Sequence, residues 1–282
     1  DKELARFADT RALRRILQSV SKGSEGVPPE LVELLEMVPA EHLEHLMDLL
    51  VEERGAASRR LTRMLIERFV REAWDPSFVF ERMHKESPGV LVDILRATSR
   101  ALPDKVVAEA VQLSGHASLE VQMEVLWVLG RAGEEEVVES TYLQMLTSPY
   151  QEVRVRVLEY FVEYGSERVF SSTLELVKRL STRGITEREC VAAGKVMASV
   201  SPDEARPVLM AWIKPPGMFK RLVEMPGATA LQRTAIYGLS ELTGEEIDKV
   251  IRWLSERCGE DIYQLCMKTL VHRRKEGLSH GG

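Results

Sequence analysis

The sequence predicts an all-α protein built from short antiparallel helix pairs, and three observations predict it. Apolar residues recur at intervals of three and four along most of the 282 residues, the spacing of one helix face. Pro76, Pro88 and Pro103 stand where new helices would open, because proline fits a first turn and breaks an interior. No segment joins two-residue alternation to hairpin turn chemistry. The run Val153-Arg154-Val155-Arg156-Val157 alternates, but Leu158, Phe161 and Val162 continue it at helical spacing, so it reads as helix.

In chain order, Leu31, Val32, Leu34, Leu35 and Val38 mark a first amphipathic helix, and Leu43, Leu46, Met47 and Leu50 a second. Leu61, Leu65, Phe69 and Val70 mark a third, and Phe78, Val79 and Met83 a fourth. From there the chain repeats itself. Glu120-Val121-Gln122-Met123-Glu124-Val125-Leu126 overlies Glu152-Val153-Arg154-Val155-Arg156-Val157-Leu158, and the same 32-residue offset puts Leu129 on Phe161, Gly133 on Gly165 and Val137 on Val169. One unit is a helix, a glycine-marked turn and a second helix. Val90, Ile94, Leu95 and Ala101 give an earlier copy, Arg188 to Ala193 a weaker later one, and Leu231 to Ile236 another. Serial repeats of this length predict stacked helix pairs, since one pair cannot bury both of its apolar faces alone.

Four parts follow: residues 1–87, an irregular helical part or cap; 88–257, the repeats; 258–276, a capping helix; and 277–282, a frayed tail. An insertion at 213–227, rich in proline and glycine, breaks the repeat rhythm. The basic side chains Arg6, Arg11, Arg14 and Arg15 near one end, and Lys268, Arg273, Arg274 and Lys275 near the other, are expected on polar outer faces.

The segment Glu152-Val153-Arg154-Val155-Arg156-Val157-Leu158 resembles the E-V-R-x-x-A-x-x-A-L signature of HEAT-type repeats, relatives of the armadillo class. Thr147-Ser148-Pro149-Tyr150 is similar to the family's entry turn, with its usual Asp absent. Val157 stands where alanine is common, and Gln122 where the family's arginine sits in the preceding repeat. The resemblance runs best from about Val90 to Leu180, extends more weakly from Gly184 to Leu254, and lacks its signature before Pro88. It implies an α-solenoid of six or seven antiparallel helix pairs, curved, with the second helix of each pair lining a concave surface.

Composition narrows the function. Lys and Arg number 38 against 44 Asp and Glu, a formal charge of −6, which disfavours a dedicated nucleic-acid binder. Hydrophobic content of 44% excludes a disordered chain. No apolar stretch reaches the ~18 residues of a membrane span, and Asp1-Lys2-Glu3 does not open a signal sequence. Cys190, Cys258 and Cys266 are odd in number and loosely spaced, so reduced thiols in a cytoplasmic setting are expected. The first residue, Asp1, suggests a piece excised from a longer protein.

Chemistry-bearing motifs are sparse. His42 and His45 lie one turn apart beside Glu41 and Glu44, a pattern that holds zinc only with a third ligand; a hydrated surface helix is the expected reading. The His-Glu dipeptides of HEAT-type di-iron hydroxylases are absent: Leu43, Lys85 and Ala117 follow His42, His84 and His116. HEAT-like DNA glycosylases need a basic cavity with an aromatic beside an acid. Here Trp74, Trp127, Trp212 and Trp253 fall within apolar periods and read as core anchors, and Asp75 as a helix cap. Phosphate-binding glycine loops, nucleophilic triads and Cys-x-x-Cys pairs do not occur. Arg54, Arg59, Arg60, Arg63, Arg68 and Arg71, interspersed with Glu52, Glu53, Glu67 and Glu72, suggest ion pairs on a solvated face.

The second helices remain. Removing their apolar positions leaves an outward row: Lys105, Glu109 and Gln112; Glu136, Ser140 and Gln144; Arg168, Ser171, Glu175 and Arg179; then Lys249 and Arg252. Mixed in sign and polar, this row suits a protein or peptide ligand. Met218, Phe219, Lys220 and Arg221 in the insertion form a second candidate contact. The sequence therefore predicts a non-catalytic interaction scaffold without cofactor or metal. The rivals are a HEAT-like enzyme or lyase subunit holding a small molecule and a nucleic-acid-binding solenoid.

Overall fold

The computed structural model describes residues 56–72, 77–213 and 228–278, together with Arg15, Met47, Asp48 and Val51. Thirteen α-helices and no strand occur among these residues, so the protein is all-α. They are α1 (Ala56–Glu72), α2 (Ser77–Met83), α3 (Pro88–Ala101), α4 (Pro103–Leu113), α5 (Leu119–Ala132), α6 (Glu135–Met145) and α7 (Gln151–Tyr164). There follow α8 (Arg168–Ser181), α9 (Glu187–Val200), α10 (Pro202–Ile213), α11 (Ala228–Glu241), α12 (Glu245–Ser255) and α13 (Glu260–Lys275). Among the described residues no helix is long and apolar enough to cross a membrane.

Helix ends follow the sequence punctuation. Pro88, Pro103 and Pro202 each occupy the first helical position of α3, α4 and α10. Gly133 and Gly165 end α5 and α7, and their N–H groups donate to the carbonyls of Leu129 (2.9 Å) and Phe161 (3.0 Å). Thr186 caps α9 through a reciprocal box with Glu189. The alternating Val153–Val157 stretch lies inside α7.

The chain falls into two compact units, residues 1–138 and 139–282. In the first, α3 packs against α1 and α5, and also against α2 and α4. Enclosed this way, α3 is buried from Val90 to Ser99 except at Arg96. In the second, α7, α9, α11 and α13 pack each against the next, with α8 and α10 behind α9 and α11, and α12 against α13. A continuous core there runs from Phe170 through Met197, Leu209, Ile236 and Ile251 to Leu270. Each buried aliphatic side chain contributes about 1.5–3 kcal/mol before the cost of ordering it. The expected divisions at 88 and 258 fall inside these units. Of the expected insertion only Ile213 is described, and it is buried at the end of α10.

The most intimate contact is between α9 and α11. A Cβ on Gly194 would stand 2.5 Å from the Thr234 carbonyl oxygen and 2.7 Å from the Gly238 nitrogen; one on Gly238 would stand 2.8 Å from the Gly194 oxygen. The two backbones touch, and only glycine leaves room.

Three expectations are corrected. Arg273, expected on a polar outer face, is wholly buried and is the largest fully buried side chain described. Its guanidinium donates to Asp248 Oδ1 (2.7 Å) and to the carbonyls of Leu239 (2.7 Å), Leu242, Gly244 (2.9 Å) and Leu278 (3.1 Å). The frayed tail is likewise anchored as far as Leu278, whose N–H donates to the Arg273 carbonyl and whose oxygen accepts from the Gly244 N–H; residues 279–282 lie outside the described ones. Trp127 is no core anchor, since it is exposed with the Arg131 guanidinium 5.3 Å from its ring centroid. Trp212 and Trp253 are half-buried against the core, and Trp74 lies outside the described residues.

Two stability measurements follow. Gly238→Ala gains up to about 1 kcal/mol of helix propensity but forces the backbones apart, with a net loss of about 2 kcal/mol. Urea denaturation should show a lower midpoint at unchanged slope; an unchanged midpoint would mean the contact is not tight. Arg273→Met leaves Asp248 and a ring of carbonyls without their donor. It should cost about 3–5 kcal/mol in the same assay, whereas a surface arginine would cost next to nothing.

Candidate functional site

The predicted polar row occupies the second helices. On α4, Lys105 and Gln112 are exposed and Glu109 is half-buried. On α6, Glu136, Ser140 and Gln144 are exposed; so are Arg168, Ser171, Glu175 and Arg179 on α8, and Lys249 and Arg252 on α12. Of the apolar set opposite them, Val138, Tyr142, Met145 and Leu146 are buried on or just after α6, and Val169, Phe170 and Val177 on α8, while Val137 and Leu174 are half-buried. Thr173, which the sequence reading left out, is also buried there, and its hydroxyl finds no partner. These residues are accessible helix by helix, but they differ in what they already hold. Glu109 takes His84 Nε2 at 2.7 Å, Arg179 donates to the Leu146 carbonyl (3.1 Å), and Lys249 pairs with Glu245 one turn away (3.0 Å). The insertion candidates Met218, Phe219, Lys220 and Arg221, and the pair His42 and His45, lie outside the described residues.

Within each unit, arginine–carboxylate links join successive first helices. Asp93 of α3, buried, accepts from Arg59 and Arg63 of α1 (Arg63 at 2.9 Å). Glu124 of α5, also buried, accepts from Arg96 of α3 (2.8 Å). In the second unit Arg154 of α7 reaches Glu189 of α9 at 2.7 Å, with Glu189 fully enclosed. Farther along, Arg233 of α11 reaches Glu187 of α9 (3.2 Å) and Asp261 of α13 (3.8 Å). The basic run on α1 is thus divided. Arg68 and Arg71 pair on the surface with Glu72 and Glu67, as expected, while Arg59 and Arg63 turn toward α3.

The repeat is also written in its entry turns. Tyr150 N–H donates to Ser148 Oγ (3.1 Å), and Arg154 Nη1 to the Ser148 carbonyl (2.6 Å). One repeat earlier, Ser118 N–H donates to His116 Nδ1 (3.0 Å), and Gln122 Nε2 to the His116 carbonyl (2.7 Å). Ser148 and His116 each accept the N–H two residues on, and Arg154 and Gln122 each return to that same residue's carbonyl, Gln122 with a shorter, neutral side chain. None of these pairings was visible in the sequence, although Arg154, Gln122 and Ser148 were singled out there.

The ionisable groups are tuned by burial. Desolvation pushes the Glu124 carboxyl above its ordinary range, against the pull of Arg96. Burial, then its hydrogen bond to Glu187 Oε1 (2.6 Å), pushes the Tyr237 phenol up, so Tyr237 is a donor and not a base. Among the described residues no three His, Cys, Asp or Glu side chains gather as a metal would require. All three cysteines are free. Burial, then the neighbouring Cys258 thiol, pushes Cys266 up to about 12, and burial raises Cys190 and Cys258 as well.

Together these features describe a repeat-like all-α protein whose ionisable groups hold helices to one another. The chain matches no protein-family model and no curated protein.

The thiols give a direct check on this tuning. Burial keeps the Cys266 thiol protonated and screened from reagents. Iodoacetamide at about pH 8 should leave Cys266 unlabelled in the folded protein, read by mass spectrometry, and label it fully in urea. Rapid labelling of Cys266 in the folded protein would contradict its burial.

Proposed function

We propose that the protein is a non-catalytic scaffold that binds a protein or peptide along the polar row of its second helices. The observation that carries this reading is the division of labour between helices. First helices are consumed by packing on their neighbours, while α4, α6, α8 and α12 keep exposed polar residues of both signs at helical spacing. The extended α-solenoid implied by the HEAT-type resemblance would align these helices as one concave face. Support comes from the stacking of α1, α3 and α5 and of α7, α9, α11 and α13, and from the equivalent bonds of the two entry turns. Such a surface binds by hydrogen bonds and local charge matching on a rigid frame. A cytoplasmic setting is part of the proposal and accords with three free thiols.

Arg168 and Glu175 are the residues to test, because Arg179 also serves the Leu146 carbonyl. Arg168→Glu with Glu175→Arg should remove specific partners from affinity capture, read by quantitative mass spectrometry against the unaltered protein. The thermal midpoint should stay within a degree or two, as expected of exposed positions. Capture that persists unchanged on an intact fold would overturn the assignment of this face.

A further inference from the structure

Seven large apolar side chains remain exposed among the described residues, and three of them share one helix: Tyr263, Met267 and Val271 of α13. They recur at four-residue steps, so they form one stripe. It lies to the side of the face that α13 buries with Ile262, Cys266, Thr269, Leu270 and Arg273. The stripe continues at both ends into charge. Glu260 lies three residues before Tyr263, and Arg274 three after Val271, both exposed. The spacing 3, 4, 4, 3 from Glu260 to Arg274 reads the same in either direction, with Met267 at its centre.

We propose that α13 pairs with the α13 of a second copy of this chain, antiparallel about a twofold axis through Met267. In that arrangement Met267 meets Met267, each Tyr263 meets a Val271, and each Glu260 meets an Arg274. An isologous contact requires this kind of self-complementary patch. The charges by themselves suit the dipole of any helix, acidic first and basic last. What singles out a second copy is the apolar trio centred between them at palindromic spacing. The helix stretch involved is about 21 Å long. A single helix pair buries less than the ~1,200 Å² of a standard interface, so the dimer forms at micromolar concentration and dissociates on dilution.

Sedimentation velocity on the 282-residue chain, from about 1 to about 200 μM, tests this. The expected result is a concentration-dependent monomer–dimer equilibrium. Met267→Glu places two carboxylates on the axis and should raise Kd about 100-fold or more. Glu260→Arg and Arg274→Glu each create two like-charge contacts and should each raise Kd roughly tenfold. Mixed together, those two variants regain both opposite-charge contacts and should associate as tightly as the unaltered chain. All three positions are exposed, and circular dichroism melts verify that the variants fold. A monomer at every concentration, a dimer indifferent to Met267→Glu, or a mixture that fails to recover association would each overturn the proposal. The first of these would leave the stripe to a partner of different sequence.

Discussion

Buried carboxylates on the first helices are the constraint on which the rest of this structure depends. Asp93, Glu124 and Glu189 are each enclosed by packing and each answered by arginine from the preceding first helix. A carboxylate removed from water without a partner costs several kcal/mol, so the helices are not free to slide past one another by a turn. The aliphatic core supplies the driving force, but leucine against valine tolerates many registers. The ion pairs choose one. Glu189 binds its neighbours most fully, because it closes the capping box of α9 with Thr186 while accepting from Arg154 of α7. A helix start and a helix–helix register are thereby set by one side chain.

The outer links are of another kind. Arg233 to Asp261 spans 3.8 Å to a carboxylate almost wholly in solvent, where a pair contributes little. Stability in the second unit therefore rests on its inner elements: the Gly194–Gly238 contact, the Phe170 to Leu270 core and the enclosed Arg273. Arg273 gathers carbonyls from the end of α11 and the turns beside α12 and α13. One enclosed side chain thereby ties the end of α11 to the segments before α12 and after α13.

Much of the architecture was legible in the sequence, because helical periodicity and proline starts are local signals. The 32-residue correspondence between α5 and α7 held down to the glycines that end them. What stayed hidden was long-range. The stretch Arg273-Arg274-Lys275 reads as one basic patch, yet only Arg273 falls on the inward face, and a period cannot tell which arginine of a run is enclosed. Trp127 misled for the converse reason: it sits among Val125, Leu126, Val128 and Leu129, all buried, but its own angular position points outward. The polar row on α4, α6, α8 and α12 was found by subtraction and is exposed as expected. The engagements of Glu109 and Arg179 came from turn residues distant in sequence, His84 and Leu146.

The meeting of Gly194 and Gly238 has a mechanical consequence. Where side chains intervene, a joint between helices can yield by small rotamer changes; where peptide planes bear on each other, nothing soft remains to compress. The α9–α11 joint thus acts as a stiff splice. Any give within the second unit is therefore left to joints where side chains, and not backbones, meet.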